Sequence, residues 1–483
     1  MIHQYKLNGY NIVLDVYSGS INLVDDVAYD IIQLFCGKEK GGVCLNEGYP
    51  SETEKKEIIR LILDKYKDNK NESLGEVNEK EITLCMEDIA GLRDGKKLFS
   101  EDIFRPGAGE LKNRHSDIKA LCLHVAHTCN LNCSYCFAAQ GNFHGERALM
   151  SAEVAKRALD FLVENSGNRV NLEVDFFGGE PLMNWDVVKA TVAYGRELEK
   201  HHNKRFRFTL TTNGVGINQE VIDFANKEMH NVVLSLDGRP WVHDTFRRTI
   251  NEEGSYHTVV PKFKELVEAR GNKGYYMRGT FTGNNLDFTE DVKHMADLGF
   301  DQLSMEPVVC SPDEPYALKD EDLPTLFRQY EILAEEMLKR RKEGRPFEFY
   351  HYIIDLVNGP CIYKRISGCG SGTEYFAVTP WGELYPCHQF VGDEEYKMGD
   401  IWTGVTNLEA SESFKACNVY SRKECDDCWA RLYCSGGCAA NGYHTSGSIE
   451  GVYEYGCKLF RKRMECAIML EIATGEEISD NAN

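Results

Sequence analysis

Between Ala120 and Glu306, six short runs rich in β-branched and aromatic residues alternate with longer amphipathic stretches. The candidate strands are 121–126, 172–177, 206–212, 232–236, 275–282 and 302–306. Helical stretches such as 152–164, 186–199 and 256–270 separate them, and 323–343 reads as a further long amphipathic helix. Strands joined by helical crossovers run parallel, so the pattern predicts an α/β fold around one parallel sheet. It also places the carboxyl ends of all six strands on one edge, where sites of such sheets are built.

The chain has 483 residues, enough for two or three domains. Residues 1–105 read as a separate module. Two short strands flank a turn at Ser18-Gly19, and helices follow over 27–35 and 55–66. Residues 37–53 read as a loop, 67–80 as a connector, 82–98 as a strand–helix pair and 105–117 as a linker. The sheet-forming unit is placed at 118–345. A glycine- and cysteine-rich unit follows at 358–470, with a helix near 459–472, and then a polar tail at 471–483 that is expected to be disordered. Net charge is −21, which argues against nucleic-acid or anionic-membrane partners. No run approaches the ~20 apolar residues of a membrane span. The opening MIHQYKLNGY lacks the apolar core of a signal peptide, so the expected location is cytoplasmic.

Eighteen cysteines in such a chain point to metal ligation rather than disulfides. Cys129, Cys133 and Cys136 follow the first candidate strand as C-x3-C-x2-C, with Tyr135 and Phe137 placed to shield them. Three thiolates can hold three irons of a [4Fe–4S] cube and leave the fourth open to a ligand. A zinc site would ordinarily draw on paired C-x2-C motifs or histidines. Gly178-Gly179-Glu180-Pro181 ends the second strand, Thr211-Thr212-Asn213-Gly214 the third and Ser235-Leu236-Asp237-Gly238 the fourth. In HDTFRR, Arg247 or Arg248 offers a fork matched to a carboxylate, or sits on the surface. Downstream come Cys369, Gly382-x4-Cys387, Cys425-x2-Cys428-x5-Cys434-x3-Cys438 and Cys457.

The cysteine loop with its aromatic tail and the GGE turn resembles the radical S-adenosylmethionine (SAM) superfamily. That resemblance implies a partial (β/α)6 barrel and a cluster on Cys129, Cys133 and Cys136 whose open iron chelates SAM. It further implies SAM contacts from Gly178, Gly179, Glu180, Thr212, Asn213, Ser235, Asp237 and Arg247. The later cysteines resemble the SPASM domain, which carries two auxiliary [4Fe–4S] clusters, for three in all. By that likeness Cys369, Cys387 and Cys438 hold the first, and Cys425, Cys428, Cys434 and Cys457 the second. Cys361, eight residues before Cys369, either completes the first cluster or leaves an iron open to a substrate thiolate. Cys310, Cys417 and Cys466 fit no motif and read as core thiols.

The order of elements in residues 1–105 resembles the winged-helix peptide-recognition domain of peptide-maturing enzymes. With the block CHQFVGDE, the stretch NGYNIVLDVYSGSINLVDD resembles the maturases of six-cysteines-in-forty-five peptides (SCIFF). The likeness implies Cys-to-Thr-type thioether cross-linking of a cysteine-rich precursor peptide with a leader, served by an external one-electron donor. Two alternatives stand beside it. One is formylglycine formation in a sulfatase; such enzymes carry an aspartate directly after the G-x4-C cysteine, where this chain has His388. The other is a non-enzymatic iron–sulfur electron carrier, which leaves the SAM-type turns unexplained. No catalytic base is assigned; Glu306 and His388 are the candidates.

Overall fold

The computed structural model describes residues 1–36, 39–40, 43–44, 50–67, 77–110, 117–356 and 361–481. The chain opens with β1 (Ile2–Leu7) and β2 (Tyr10–Asp15), an antiparallel hairpin closed by Asn8-Gly9. Both turn residues have positive φ, 49° and 84°, the left-handed pair that an Asn-Gly two-residue turn supplies. A second turn at Ser18-Gly19 leads to β3 (Ile21–Leu23). The region therefore holds three strands where the turn at Ser18-Gly19 alone predicted two. β4 (Glu39–Lys40) and β5 (Val43–Cys44) fall in the predicted loop and complete a sheet of order β3-β2-β1-β5-β4.

Three helices cover one face of this sheet: α1 (Asp26–Cys36), α2 (Glu52–Tyr66) and α3 (Glu79–Asp94). Ser51 and Glu54 form a capping box at the start of α2. The strand–helix pair expected over 82–98 is instead the single helix α3. Asn78 caps it, and Ile82, Met86 and Ile89 repeat at helical spacing into the core. Strand alternation sends Ile2 and Val13 toward these helices and Tyr5, Ile12 and Leu14 to the opposite face. A short helix, α4 (Arg105–Ala108), lies in the predicted linker, of which 111–116 fall outside the described residues.

The second sheet is built by β6 (Ala120–Ala126), β7 (Asn171–Gly178), β8 (Arg205–Thr212), β9 (Met229–Ser235), β10 (Tyr275–Phe281) and β11 (Gln302–Pro307). All are parallel and follow chain order. Their crossovers carry α5 (Ala152–Glu164), α6 (Trp185–His201), α7 (Gln219–Glu228), α8 (Pro240–Phe246), α9 (Tyr256–Arg270) and α10 (Phe288–Asp297), and α11 (Leu323–Lys342) follows β11. The six strands lie where the β-branched runs predicted them, within a few residues. Buried side chains such as Leu123, Val174, Phe208, Leu234 and Met277 face the helices, and their partners in alternation face the lumen.

The sheet does not end at six strands. β12 (Glu348–Phe349) adds to β11 at one edge. At the other, β13 (Tyr375–Val378) pairs parallel with β6 and continues into β14 (Glu383–Tyr385), β15 (Gly399–Asp400) and β16 (Gly404–Val405). The cysteine-rich region is thus grafted onto the main sheet through β13. Short helices α12 (Ile362–Ser367), α13 (Leu408–Ala416), α14 (Arg431–Cys434) and α15 (Ala439–Ser446) carry its loops. The last helix, α16 (Glu454–Asn481), runs well past residue 472, so helix replaces the disordered tail that its polar composition predicted. Its apolar side packs against α11 and against the inner face of the first sheet; Tyr5 donates a hydrogen bond to the Glu465 carbonyl at 3.0 Å. Among the described residues no helix is long and apolar enough to cross a membrane.

Candidate functional site

Parallel strands bring the predicted motifs to one edge. Cys129, Cys133 and Cys136 lie in the loop after β6, directly against the Gly178-Gly179-Glu180 turn that ends β7. Gly179 N donates to Ala126 O at 2.7 Å, and Glu180 N donates to Thr128 O at 3.0 Å. The glycines are required by this contact between two backbones. A Cβ on Gly178, at φ 120°, would lie 2.3 Å from Ala126 O, and one on Gly179 would lie 2.1 Å from Thr128 O. Gly141, at φ 90°, closes the other side, where a Cβ would meet Gly179 Cα at 2.5 Å.

Glu180 is buried and spends its carboxylate inside the protein. It accepts from Leu182 N at 3.0 Å, Thr212 Oγ1 at 2.8 Å and Asn213 N at 2.8 Å. Asn213 Nδ2 reaches back to Asn130 Oδ1 at 2.8 Å and lies 3.6 Å from Cys129 Sγ. The second and third strand ends are therefore wired to the cysteine loop. Asp237, fully buried after β9, ties in the fourth. It accepts from Tyr135 Oη at 2.5 Å, Arg247 Nε at 3.0 Å and Thr280 N at 3.0 Å. Both oxygens are used, so Asp237 anchors the loop through Tyr135. Arg247 is held inward by this pair, whereas Arg248 is exposed and donates to Asp244 O. Ser235 closes β9, opposite Arg278 of β10. Phe137 is half exposed rather than a closed shield.

The donor chemistry fits a thiolate-held cluster. Burial pushes the Cys129 thiol up to about 12, helped by the Glu180 charge, and burial carries Cys133 to about 11. The charges of Cys133 and Cys136 act on Cys129 as well, which marks the three as neighbours. Such thiols stay protonated until a metal takes the proton's place. At the second predicted set the fit is spatial too: Cys425, Cys428, Cys434 and Cys457 all line one cavity of about 130 Å³. Burial raises Cys425 and Cys434 to about 12. At the first set, burial raises Cys387 to about 12, and the charges of Cys438 and Cys369 add to it. Cys361 is exposed at the head of α12. Among the described residues no three or more His, Cys, Asp or Glu are drawn together closely enough to hold a single metal ion.

Several residues carry no motif and emerge only from the fold. His124 Nδ1 lies 3.1 Å from His127 Nε2, both rings buried behind the cysteine loop. Cys417, expected as a core thiol, is buried beside Cys369 and accepts a hydrogen bond from Arg422 Nη2 at 3.0 Å. Cys417 and Cys466 are core residues as expected, whereas Cys310 departs from that expectation and lines a cavity. That cavity, about 1090 Å³, opens between the cysteine loop and the C-terminal region, walled by Phe137, Phe143, Cys310, His388, Tyr453 and Lys458. His388 is held neutral, its basicity lowered to about 4 by burial and by Arg278. Glu306 lies 3.5 Å from His351 and 3.6 Å from Arg463. Burial works to raise Glu306, yet His351, Arg463 and Arg278 hold it below its ordinary value.

Residues 123–299 match the family model of the radical SAM superfamily. This match lies within the barrel segment. Beyond it, the chain is 26% identical over 334 residues to a cysteine-type anaerobic sulfatase-maturating enzyme of Clostridium novyi, covering 65% of this chain and 85% of that protein. Among solved structures it is similar to anSMEcpe with bound AdoMet and Cp18Cys peptide, with a TM-score of 0.61 and 20% identity over 74% of this chain and 99% of that one. It is also similar to Streptococcus suis SuiB bound to precursor peptide SuiA, with a TM-score of 0.50 and 17% identity over 94% of this chain and 98% of that one. The fold is thus the radical SAM α/β fold with a large, mostly parallel sheet, shared with these maturases.

Proposed function

We propose that this chain is a radical SAM enzyme that installs thioether cross-links of the Cys-to-Thr type in a ribosomally made, cysteine-rich precursor peptide. The observation that carries the reading is the cavity of about 1090 Å³, large enough for several peptide residues, which touches both the cysteine loop and His388 beside Cys387. Cys129, Cys133 and Cys136 would hold the SAM-binding cluster. Cys369, Cys387 and Cys438, and the set Cys425, Cys428, Cys434 and Cys457, would hold two auxiliary clusters. When bound, that cluster and SAM would supply radical chemistry able to remove a hydrogen atom from carbon.

The chain's own residues frame that step. Glu180, Thr212 and Asn213 fix the cysteine loop against the ends of β7 and β8, and Asp237 fixes it to the end of β9 through Tyr135. Phe137 and Phe177 each pack on the His388 ring, at 5.5 and 5.1 Å between ring centres, and line this wall with aromatic surface. His388 lines the cavity and is held neutral by burial and by Arg278, which leaves it a weak base, so the acceptor of a donor thiol's proton is not assigned. Glu306 stays charged among its cationic neighbours, which suits it to holding the barrel end rather than to proton transfer. Among the described residues no strand pairs with the outer edge of β3, whose backbone groups would be open to a leader peptide by strand addition.

Formylglycine formation is the second reading, and the identity to the sulfatase-maturating enzyme favours it. A cysteine-containing peptide incubated with SAM and reductant separates the two. Thioether formation loses about 2 Da per link, one hydrogen from carbon and one from the thiol, while the alternative yields an aldehyde that hydrazides trap. Deoxyadenosine release that persists after Cys129→Ala, Cys133→Ala and Cys136→Ala would contradict the assignment of the radical source. Three clusters require about 12 irons per chain.

A further inference from the structure

Arg422 is 4% exposed, and among the described residues no carboxylate lies within ion-pair distance of it. Nη1 donates to Gly451 O at 2.9 Å, and Nη2 donates to Cys417 Sγ at 3.0 Å. Nε is buried and has no partner. A guanidinium cannot shed its charge, and a buried cation without a counter-charge is costly, so the fold must offer it an anion.

Its position says which anion. Arg422 lines the small cavity that also holds Cys369 and Cys417. Its Nε packs on Gly436, where an added Cβ would lie 3.0 Å away, and Gly436 lines the neighbouring cavity of Cys425, Cys428, Cys434 and Cys457. Gly437, the next residue, lines the first cavity. Arg422 therefore stands in the wall between the two auxiliary cysteine sets, where Ser435, Gly436 and Gly437 link Cys434 of one to Cys438 of the other. Burial raises the thiols of Cys417, Cys425, Cys438 and Cys457, and the Arg422 charge opposes it at all four.

We infer that Arg422 is the shared cationic partner of the two auxiliary sites, with Nε as a hydrogen-bond donor to a sulfur of the clusters they hold. The inference rests on the proposed cluster content. A cube held by thiolates is net negative and gains one more negative charge on reduction. A fixed cation and a hydrogen bond to sulfur therefore favour the reduced form and raise both potentials.

The test uses anaerobically reconstituted full-length protein in which Cys129, Cys133 and Cys136 are alanine, so that only the auxiliary sites load. Iron content and redox titration followed by electron paramagnetic resonance are compared with and without Arg422→Gln and Arg422→Lys. Both auxiliary potentials should fall in Arg422→Gln and fall by less in Arg422→Lys, which keeps the charge and loses the Nε donor. If the Gln variant does not fold, the Lys variant decides alone, a fall at the one site that loses the Nε hydrogen bond being required and unchanged potentials at both sites overturning the proposal. In Arg422→Gln, unchanged potentials, a shift at one site only, or iron loss with the remaining clusters at their original potentials each overturn the proposal. A parent protein that takes up no iron overturns the cluster reading and the inference together, which distinguishes that failure from the others.

Discussion

Gly179→Ala is the sharpest perturbation of the radical site, because the residue sits in an ordinary backbone conformation and the effect is purely steric. The added Cβ would lie 2.1 Å from Thr128 O and 2.5 Å from Thr128 C, with Gly141 Cα behind it at 3.1 Å. Ordinary contacts begin near 3.4 Å, so the chain around Thr128 must retreat by about 1.3 Å. Cys129 is the next residue, and its sulfur is placed by the same segment. Overpacking of this kind costs about 1–3 kcal/mol, which a barrel with so large a core tolerates. A site needs its groups within about 0.5 Å, and a displacement of about 1 Å can cost 100-fold in rate. The barrel should therefore persist, with a near-native melting temperature, while deoxyadenosine formation falls at least 100-fold and iron drops by about one cluster per chain. Full iron content with parental SAM cleavage would refute the view that two touching backbones position the cysteine loop.

Asp237→Asn should leave Arg247 buried without its counter-charge and free Tyr135, lowering stability by about 3–5 kcal/mol, seen as a lower thermal midpoint. His243 is buried, its Nδ1 accepting from Asp237 N at 3.3 Å, and burial depresses it from 6.5 to about 4. The unfolded chain binds a proton there first, so stability present above pH 6.5 is lost as pH falls toward 4, by up to about 3 kcal/mol. In His243→Gln the slope of melting temperature against pH over that window should flatten, and an unchanged slope would assign the acid sensitivity elsewhere. On β3, Val24 N donates to Asn11 O, so alternation turns the Leu23 N–H to the outer edge. Leu23→Pro should weaken leader-peptide affinity, measured by fluorescence anisotropy, while leaving SAM cleavage without peptide intact.

The six barrel strands and their helices were legible because each writes its own period: Val174 and Phe176 point one way from the sheet, Asp175 and Phe177 the other. The GGE turn and the cysteine spacings were legible as local chemistry. What escaped depends on partners far along the chain. Asn8-Gly9 carries a hairpin signal that the neighbouring Ser18-Gly19 obscured. The polar end of α16 continues a helix whose apolar side is secured earlier by the first sheet, beyond what composition alone conveys. Cys417, Arg422 and the His124–His127 pair have no spacing rule; only the packing of loops from α13, α14 and β6 brings them to their neighbours.

Contact between the two ends of the chain also bears on how the protein is made. His3 stacks on Trp429 at 4.0 Å and lies 3.1 Å from Glu465, across 462 positions. Synthesis proceeds at about 5–20 residues per second, so the inner face of the first hairpin waits about 20–90 s for the helix that covers it. During that interval Tyr5, Ile12 and Leu14 are exposed apolar surface, a hold-point for chaperones and a route to aggregation. The same helix carries Cys457, so closure of the hairpin and completion of the four-cysteine cavity belong to one late event. Chains cut short before residue 454 should therefore fail at both ends at once.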